Sequence, residues 1–89
     1  MRNFLIEDKL KKIIEKLHKK NPVVYEALMK KIEEILNCED VEHYKNLHSP
    51  LQEYKRVHVG SSFILLFKYV KTEELVVFYD LDHHDNAYN

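Results

Sequence analysis

The spacing of apolar residues changes once along this chain of 89 residues, and the change limits the folds open to it. In the first part, Leu10, Ile13, Ile14 and Leu17 recur with the period of about 3.6 residues expected for one helix face. From Tyr54 onward, apolar residues alternate or run together as they do in strands. Helices followed by strands predict an α+β fold, with an N-terminal helical hairpin packed on a small, mainly antiparallel sheet.

The helical part is predicted as two helices within residues 7–36. The first ends near Lys20, and Pro22 fits the first position of the second. The side chain of Asn21 can cap that second helix. A short edge strand over residues 2–6 is predicted ahead of the hairpin.

Three strands are predicted after a polar connection over residues 38–53, which holds a short helical turn near residues 41–44. They cover residues 54–59, 63–70 and 75–81, with turns at 60–62 and 71–74. In the first of these strands, Lys55, Val57 and Val59 share one face, and Tyr54, Arg56 and His58 share the other. If the valines point to the core, Arg56 and His58 project from the uncovered face, and a slip of one residue would reverse this.

Composition indicates one small domain over residues 1–89. The single Cys38 excludes an internal disulfide framework and suits a reducing compartment. The longest apolar run, residues 63–67, is far shorter than the roughly 20 residues that cross a bilayer. We also recognise no signal peptide, so we expect a cytoplasmic protein without a membrane partner.

Charge is distributed unevenly, although the net charge is only -1. Residues 1–36 carry nine Lys/Arg and six Asp/Glu, whereas residues 37–89 carry five and nine. This is not the strongly basic pattern of a general nucleic-acid binder. Any RNA binding must use local patches, such as Lys55 with Arg56 or the lysines of the first helix, which are more commonly a solvated helix face.

Side chains that transfer protons or bind phosphate are concentrated in the last third of the chain. Five of the six histidines follow Asn37. RNA supplies its own nucleophile, the 2′-hydroxyl, so a ribonuclease needs a general base, a proton donor and cations on the phosphate. The candidates for proton transfer are His48, His58, His83 and His84. Arg56 and Lys55 are candidates for the phosphate, and Tyr88 could stack on a base or donate a hydrogen bond.

No metal or other cofactor is predicted. His83, His84 and Asp85 are metal-ligand types, but neighbouring residues of a strand point to opposite faces and would not easily share one ion. His58 together with His84 could do so. Cys38 has no base nearby in sequence, and the single glycine excludes a glycine-rich phosphate loop.

Four segments of the sequence match one known family, and the order of the predicted elements agrees with it. The segments are His48-Ser49-Pro50-Leu51, residues 54–59, residues 63–68 and residues 83–88. On these residues the chain resembles the RelE/ParE superfamily of toxin–antitoxin proteins. Within it, the chain is most similar to the messenger-RNA interferases of RelE and YafQ type.

The resemblance implies a ribosome-dependent endoribonuclease that cleaves messenger RNA. It implies catalytic roles for a loop histidine, a second-strand histidine, a C-terminal histidine, a terminal aromatic residue and a basic residue, which match His48, His58, His84, Tyr88 and Arg56. Contacts with RNA are expected from Lys55, Arg56, His83 and Lys68. Lys55 competes with Arg56 for the basic position, and Ser62 stands where YafQ-type members carry an acidic residue.

The resemblance also implies partners, namely the ribosome with its messenger RNA and a RelB-like antitoxin. The basic first helix is a candidate surface for an acidic antitoxin. Two alternatives keep the same fold. The chain could inhibit DNA gyrase as ParE-like members do, or it could be an inactive homologue that still binds its antitoxin.

Overall fold

The computed structural model describes residues 1–48 and 52–86, and the side chain of Asn86 is not described. The described residues contain four strands, which are β1 (Asn3–Ile6), β2 (Lys55–Val59), β3 (Phe63–Val70) and β4 (Leu75–His83). They contain two α-helices, α1 (Asp8–Lys20) and α2 (Pro22–Asn37), and three short 3₁₀ turns at Val41–His43, Lys71–Glu73 and His84–Asn86. The predicted α+β class and its helical hairpin are confirmed.

The junction between the two helices follows the predicted capping chemistry. The side-chain Oδ1 of Asn21 accepts a hydrogen bond from the backbone N–H of Val24 at 3.3 Å. Pro22 occupies the first turn of α2, where its missing N–H would have no helical partner. The chain therefore reverses within one residue, and α1 and α2 pack side by side.

The four strands form one sheet in the order β1-β4-β3-β2. β1 runs parallel to β4, while the other two pairs are antiparallel. The predicted N-terminal edge strand is therefore confirmed, and β2 forms the opposite edge. In the β2–β3 hairpin, Arg56 lies opposite Leu66 and His58 lies opposite Ile64.

The helices cover one face of the sheet and form the main core with it. The fully buried members of that core include Leu10, Leu28, Ile35, Leu65, Phe67 and Phe78. Val57 and Val59 of β2 also belong to this side. Arg56 and His58 therefore lie on the other face, as the alternation of β2 predicts.

A smaller apolar cluster covers part of that second face. Leu47, Ile64 and Leu66 are buried in it, and Tyr54 and Tyr79 pack against them. Leu47 comes from the connection before β2, so this connection crosses onto the face that the helices leave uncovered. Among the described residues, no helix has the length and apolar character needed to cross a membrane.

Candidate active site

Residues 41–47, which we call the edge segment, run along the outer edge of β2. The backbone N–H of Arg56 donates to the carbonyl of Lys45, and that of Leu47 donates to the carbonyl of Tyr54, both at 2.9 Å. Asn46 and Lys55 form an antiparallel β-bridge. The edge segment thus extends the sheet by a short strand-like piece beyond β2.

A buried lysine fastens the edge segment to β2. Lys55 is 4% exposed, and its Nζ lies 3.2 Å from the carbonyl oxygen of Tyr44, 2.8 Å from Oδ1 of Asn46 and 3.1 Å from Oε1 of Glu42. A buried ammonium is costly unless such oxygens surround it. This placement favours a structural role for Lys55, whereas its contact with RNA stays a prediction.

Tyr44 anchors the edge segment from the helix side. Its hydroxyl donates a hydrogen bond to the Glu34 carboxylate of α2, and its ring meets Phe67 edge to face at 5.5 Å. Burial, aided by the bond to Glu34, raises the pKa of the Tyr44 hydroxyl. The same hydrogen bond lowers the pKa of Glu34. Tyr44 is buried, whereas its two neighbours, His43 and Lys45, are exposed.

A cleft with a volume of about 400 Å³ lies between the edge segment and β2. The described residues that line it are His43, Tyr44, Lys45, Arg56, Val57, His58 and Ile64. They include two imidazoles, a guanidinium and an ammonium, and none of them carries a carboxylate. Such a cleft suits a ligand with negative charge, because its cations attract the ligand, and Val57 and Ile64 add apolar surface to the lining.

Arg56 lies half-buried in this cleft with part of its hydrogen-bonding capacity unused. Its Nε is buried and meets no acceptor among the described residues. A buried N–H without a partner costs about 1 to 3 kcal/mol. A guanidinium at such a cleft is well shaped to bind phosphate, because its remaining N–H groups can donate parallel hydrogen bonds.

The structure brings two of the predicted catalytic residues, Arg56 and His58, together in the cleft. His84 lies at the same end of the sheet but outside the described lining. Its backbone N–H donates to the carbonyl of Ser62 at 2.7 Å, and its Nδ1 lies 3.3 Å from the same oxygen. Because β3 separates β2 from β4, the strands that carry His58 and lead to His84 are about 10 Å apart.

The other predicted residues are more scattered. His48 is exposed and directly follows the edge segment. Lys68 lies on the same face as Arg56, and its Nζ sits over the ring of Tyr54 at 5.9 Å from the centroid. Tyr88 lies outside the described residues.

His83, His84 and Asp85 form one cluster, which corrects the reasoning that their side chains would diverge. β4 ends at His83 and a 3₁₀ turn begins at His84, so strand alternation no longer applies. The two imidazole rings are 5.2 Å apart. One nitrogen of each ring and one carboxylate oxygen of Asp85 lie within 4.8 Å of one another, a spacing that one cation could bridge. All three side chains are partly or fully exposed, and the absence of a metal stays a prediction.

Sequence reasoning missed two lining residues, His43 and Lys45. The polar stretch around them shows neither helical nor strand periodicity over a useful length. A signal was present, because Val41, Tyr44 and Leu47 recur at every third position and all are buried. That spacing fits a 3₁₀ turn leading into an extended piece, with the intervening polar residues left outside.

Comparison with known proteins identifies the family. No protein-family model matches the chain. A candidate toxin of Methanocaldococcus jannaschii named RelE4 is 46% identical over 79 residues, which cover 89% of this chain and 82% of that protein. The chain belongs to the RelE family of toxins. The resemblance inferred from the sequence is therefore confirmed.

Solved structures agree on the RelE fold. The toxin–antitoxin complex RelBE of Escherichia coli matches with a TM-score of 0.69 and 19% identity over 93% of this chain and 96% of the matched one. The DinJ–YafQ complex of E. coli matches with a TM-score of 0.64 and 21% identity, and the whole of both chains is covered. Identities this low show the fold alone.

Proposed function

We propose that this RelE-family toxin is an endoribonuclease that cleaves messenger RNA on the ribosome without a metal ion. The observation that supports the proposal is the cleft in which the guanidinium of Arg56 lies beside His58. RNA brings a phosphodiester for the cation and a 2′-hydroxyl for the base. The protein need only position these groups and move protons.

The proposed reaction is an internal transfer at one phosphodiester. The 2′-oxygen loses its proton to a base and bonds to phosphorus, while the bond from phosphorus to the 5′-oxygen breaks and that oxygen takes a proton from an acid. The products carry a 2′,3′-cyclic phosphate and a 5′-hydroxyl. Arg56 stabilises the charge that builds up on the phosphate oxygens, a contribution worth about 10²- to 10³-fold in rate for one such donor.

We assign proton transfer or RNA contact to the other predicted residues. His58 is one proton-transfer group, and His84 can act on a message that extends along the same end of the sheet. Lys68 and His83 would contact the RNA backbone, His48 would approach it from the connection before β2, and Tyr88 would stack on a base. These roles rest on the resemblance to RelE- and YafQ-type toxins.

We also infer that the chain binds an antitoxin. RelBE is named as a toxin–antitoxin complex, and YafQ was solved together with DinJ. On α1, the exposed lysines Lys12, Lys16, Lys19 and Lys20 offer a cationic surface to an acidic partner.

The test is a cleavage assay with purified protein and purified ribosomes. Ribosomes carrying a defined message are mixed with the protein, and the 5′ ends of the fragments are mapped by primer extension. We expect cleavage by the wild type and a rate about 10²- to 10³-fold lower for Arg56→Ala. His18→Ala is the matched control, because His18 lies on α1 against Tyr25, away from the cleft.

An intact message with the wild type would overturn the proposal. If the same preparation blocked DNA supercoiling by gyrase, the ParE-like alternative would take its place. If it did neither and still bound an antitoxin, the chain would be an inactive homologue.

A further inference from the structure

We propose that His43 is the general base of the cleft and that Lys45 is a second phosphate ligand. This inference rests on the proposed nuclease function and adds two residues that neither the sequence patterns nor the resemblance assigns. It is carried by the hydrogen bonding of the His43 ring, its place in the cleft lining and the attachment of the edge segment.

The His43 ring is held in one tautomer. Its Nδ1 is hydrogen-bonded to the backbone carbonyl of Asp40. A carbonyl oxygen can only accept, so Nδ1 carries the proton and the neutral ring keeps its acceptor lone pair on Nε2. No hydrogen bond from a described residue occupies that Nε2. The free nitrogen is therefore available to take a proton from a substrate in the cleft.

The ring is also fixed in position. It lies against the ring of Tyr44, with 4.0 Å between the centroids. Asp40 is itself held, because its side-chain Oδ1 accepts from the backbone N–H of Glu42 at 3.0 Å and caps the 3₁₀ turn. By contrast, no described residue hydrogen-bonds to the side chain of His58. Of the two imidazoles in the cleft, His43 is the one oriented before substrate arrives, which favours efficient proton transfer.

Lys45 adds a cation on the same rim. Its backbone carbonyl accepts from the N–H of Arg56, so the two residues are fixed side by side. Lys45 is exposed and forms no ion pair with a described residue. The acidic residues nearest in sequence are otherwise engaged, since Glu42 pairs with Lys55 and Asp40 caps the turn. Lys45 can therefore bind a phosphate next to the one that Arg56 holds.

In the resulting step, Nε2 of His43 takes the proton of the 2′-hydroxyl as the 2′-oxygen bonds to phosphorus. Protonated His58 gives its proton to the departing 5′-oxygen. The ring of His43 then holds both protons, and its charge is stabilised by the Asp40 carbonyl at Nδ1. His43 then gives one proton to water and His58 takes one proton from water, which restores the starting state.

The decisive variant is His43→Asn. Its side-chain Nδ2–H can replace Nδ1–H in the bond to the Asp40 carbonyl, but it has no equivalent of Nε2. In single-turnover cleavage on ribosomes we expect a rate about 10²- to 10⁴-fold lower at unchanged ribosome affinity. The pH–rate profile should lose the limb that reports the base. Lys45→Met should weaken binding of the message and flatten its dependence on salt.

The experiment distinguishes a failure of the role proposed for His43 from a failure of the nuclease function. A wild type that cleaves, with His43→Asn cleaving at the same rate and with the same pH profile, overturns the role of His43 and leaves the nuclease function intact. A wild type that does not cleave overturns the nuclease function and this inference with it. If His43→Asn fails to fold, ¹⁵N NMR of the wild-type imidazoles decides, because a proton found on Nε2 in place of Nδ1 contradicts the proposal.

Discussion

Replacing Lys55 with methionine tests how the edge segment is held. Lys55→Met keeps an unbranched side chain of similar length and deletes the ammonium. Three oxygens then lose a donor. Glu42 is 53% exposed and Asn46 is exposed, so both can turn to water. The carbonyl of Tyr44 stays buried without a partner.

The cost follows from this difference among the three oxygens. One buried acceptor left without a donor costs about 1 to 3 kcal/mol. Loss of the half-exposed pairing with Glu42 adds at most about 1 kcal/mol. Removing a buried charge returns part of this, because the ammonium no longer has to be desolvated. We expect a net loss of about 2 kcal/mol in the free energy of unfolding.

Urea unfolding measures that loss directly, and thermal unfolding should show it as a decrease in Tm of about 8 to 16 °C for a domain of this size. Glu42→Gln is the matched control, and it should lose less than about 1 kcal/mol because its carboxylate faces water. Cleavage by Lys55→Met should also fall, since the segment that presents His43 is released. A Lys55→Met protein as stable and as active as the wild type would show that this ammonium does not hold the edge segment.

Further predictions concern the hydrogen bond between Tyr44 and Glu34, which also holds the edge segment, and the part played by Lys68 outside the cleft. Tyr44→Phe should lower the free energy of unfolding by about 1 kcal/mol in urea, because it removes the hydrogen bond to Glu34. Glu34 has a lowered pKa in the folded state, so its contribution is present above its ordinary value of 4.5 and is lost as pH falls through the folded value. In thermal melts below pH 5, Tm should therefore fall less with decreasing pH in Tyr44→Phe than in the wild type. Lys68→Ala should slow cleavage less than about tenfold, because Lys68 lies on Tyr54 outside the cleft, and initial rates equal to those of Arg56→Ala would contradict this.

Most of the fold could be predicted from the sequence because its signals are local. Helical spacing in α1, the Asn21–Pro22 junction and strand alternation in β2 each act within a few residues. The parallel pairing of β1 with β4 could not be predicted from such local signals. It joins segments about 70 residues apart, and it depends on how the helices between them pack.

The site was predicted less completely than the fold, for reasons that differ among residues. Strand alternation in β2 predicted that Arg56 lies on the uncovered face and that Lys55 lies on the face of the valines, and the structure shows both placements. Charge alone had suggested Lys55 as a phosphate ligand. His43 and Lys45 were missed because a strand-like piece that completes a sheet edge carries little periodicity of its own. The cluster of His83 and His84 was missed because alternation stops where a strand ends.

The chemical groups at the cut ends of the message distinguish attack by the 2′-hydroxyl from attack by water. Messenger RNA cleaved on ribosomes by the wild-type protein is examined for its terminal groups by mass spectrometry and by ligation that depends on end type. We expect a 2′,3′-cyclic phosphate on one fragment and a 5′-hydroxyl on the other, with both lost in Arg56→Ala. Fragments that carry a 5′-phosphate would show attack by water and would contradict attack by the 2′-hydroxyl.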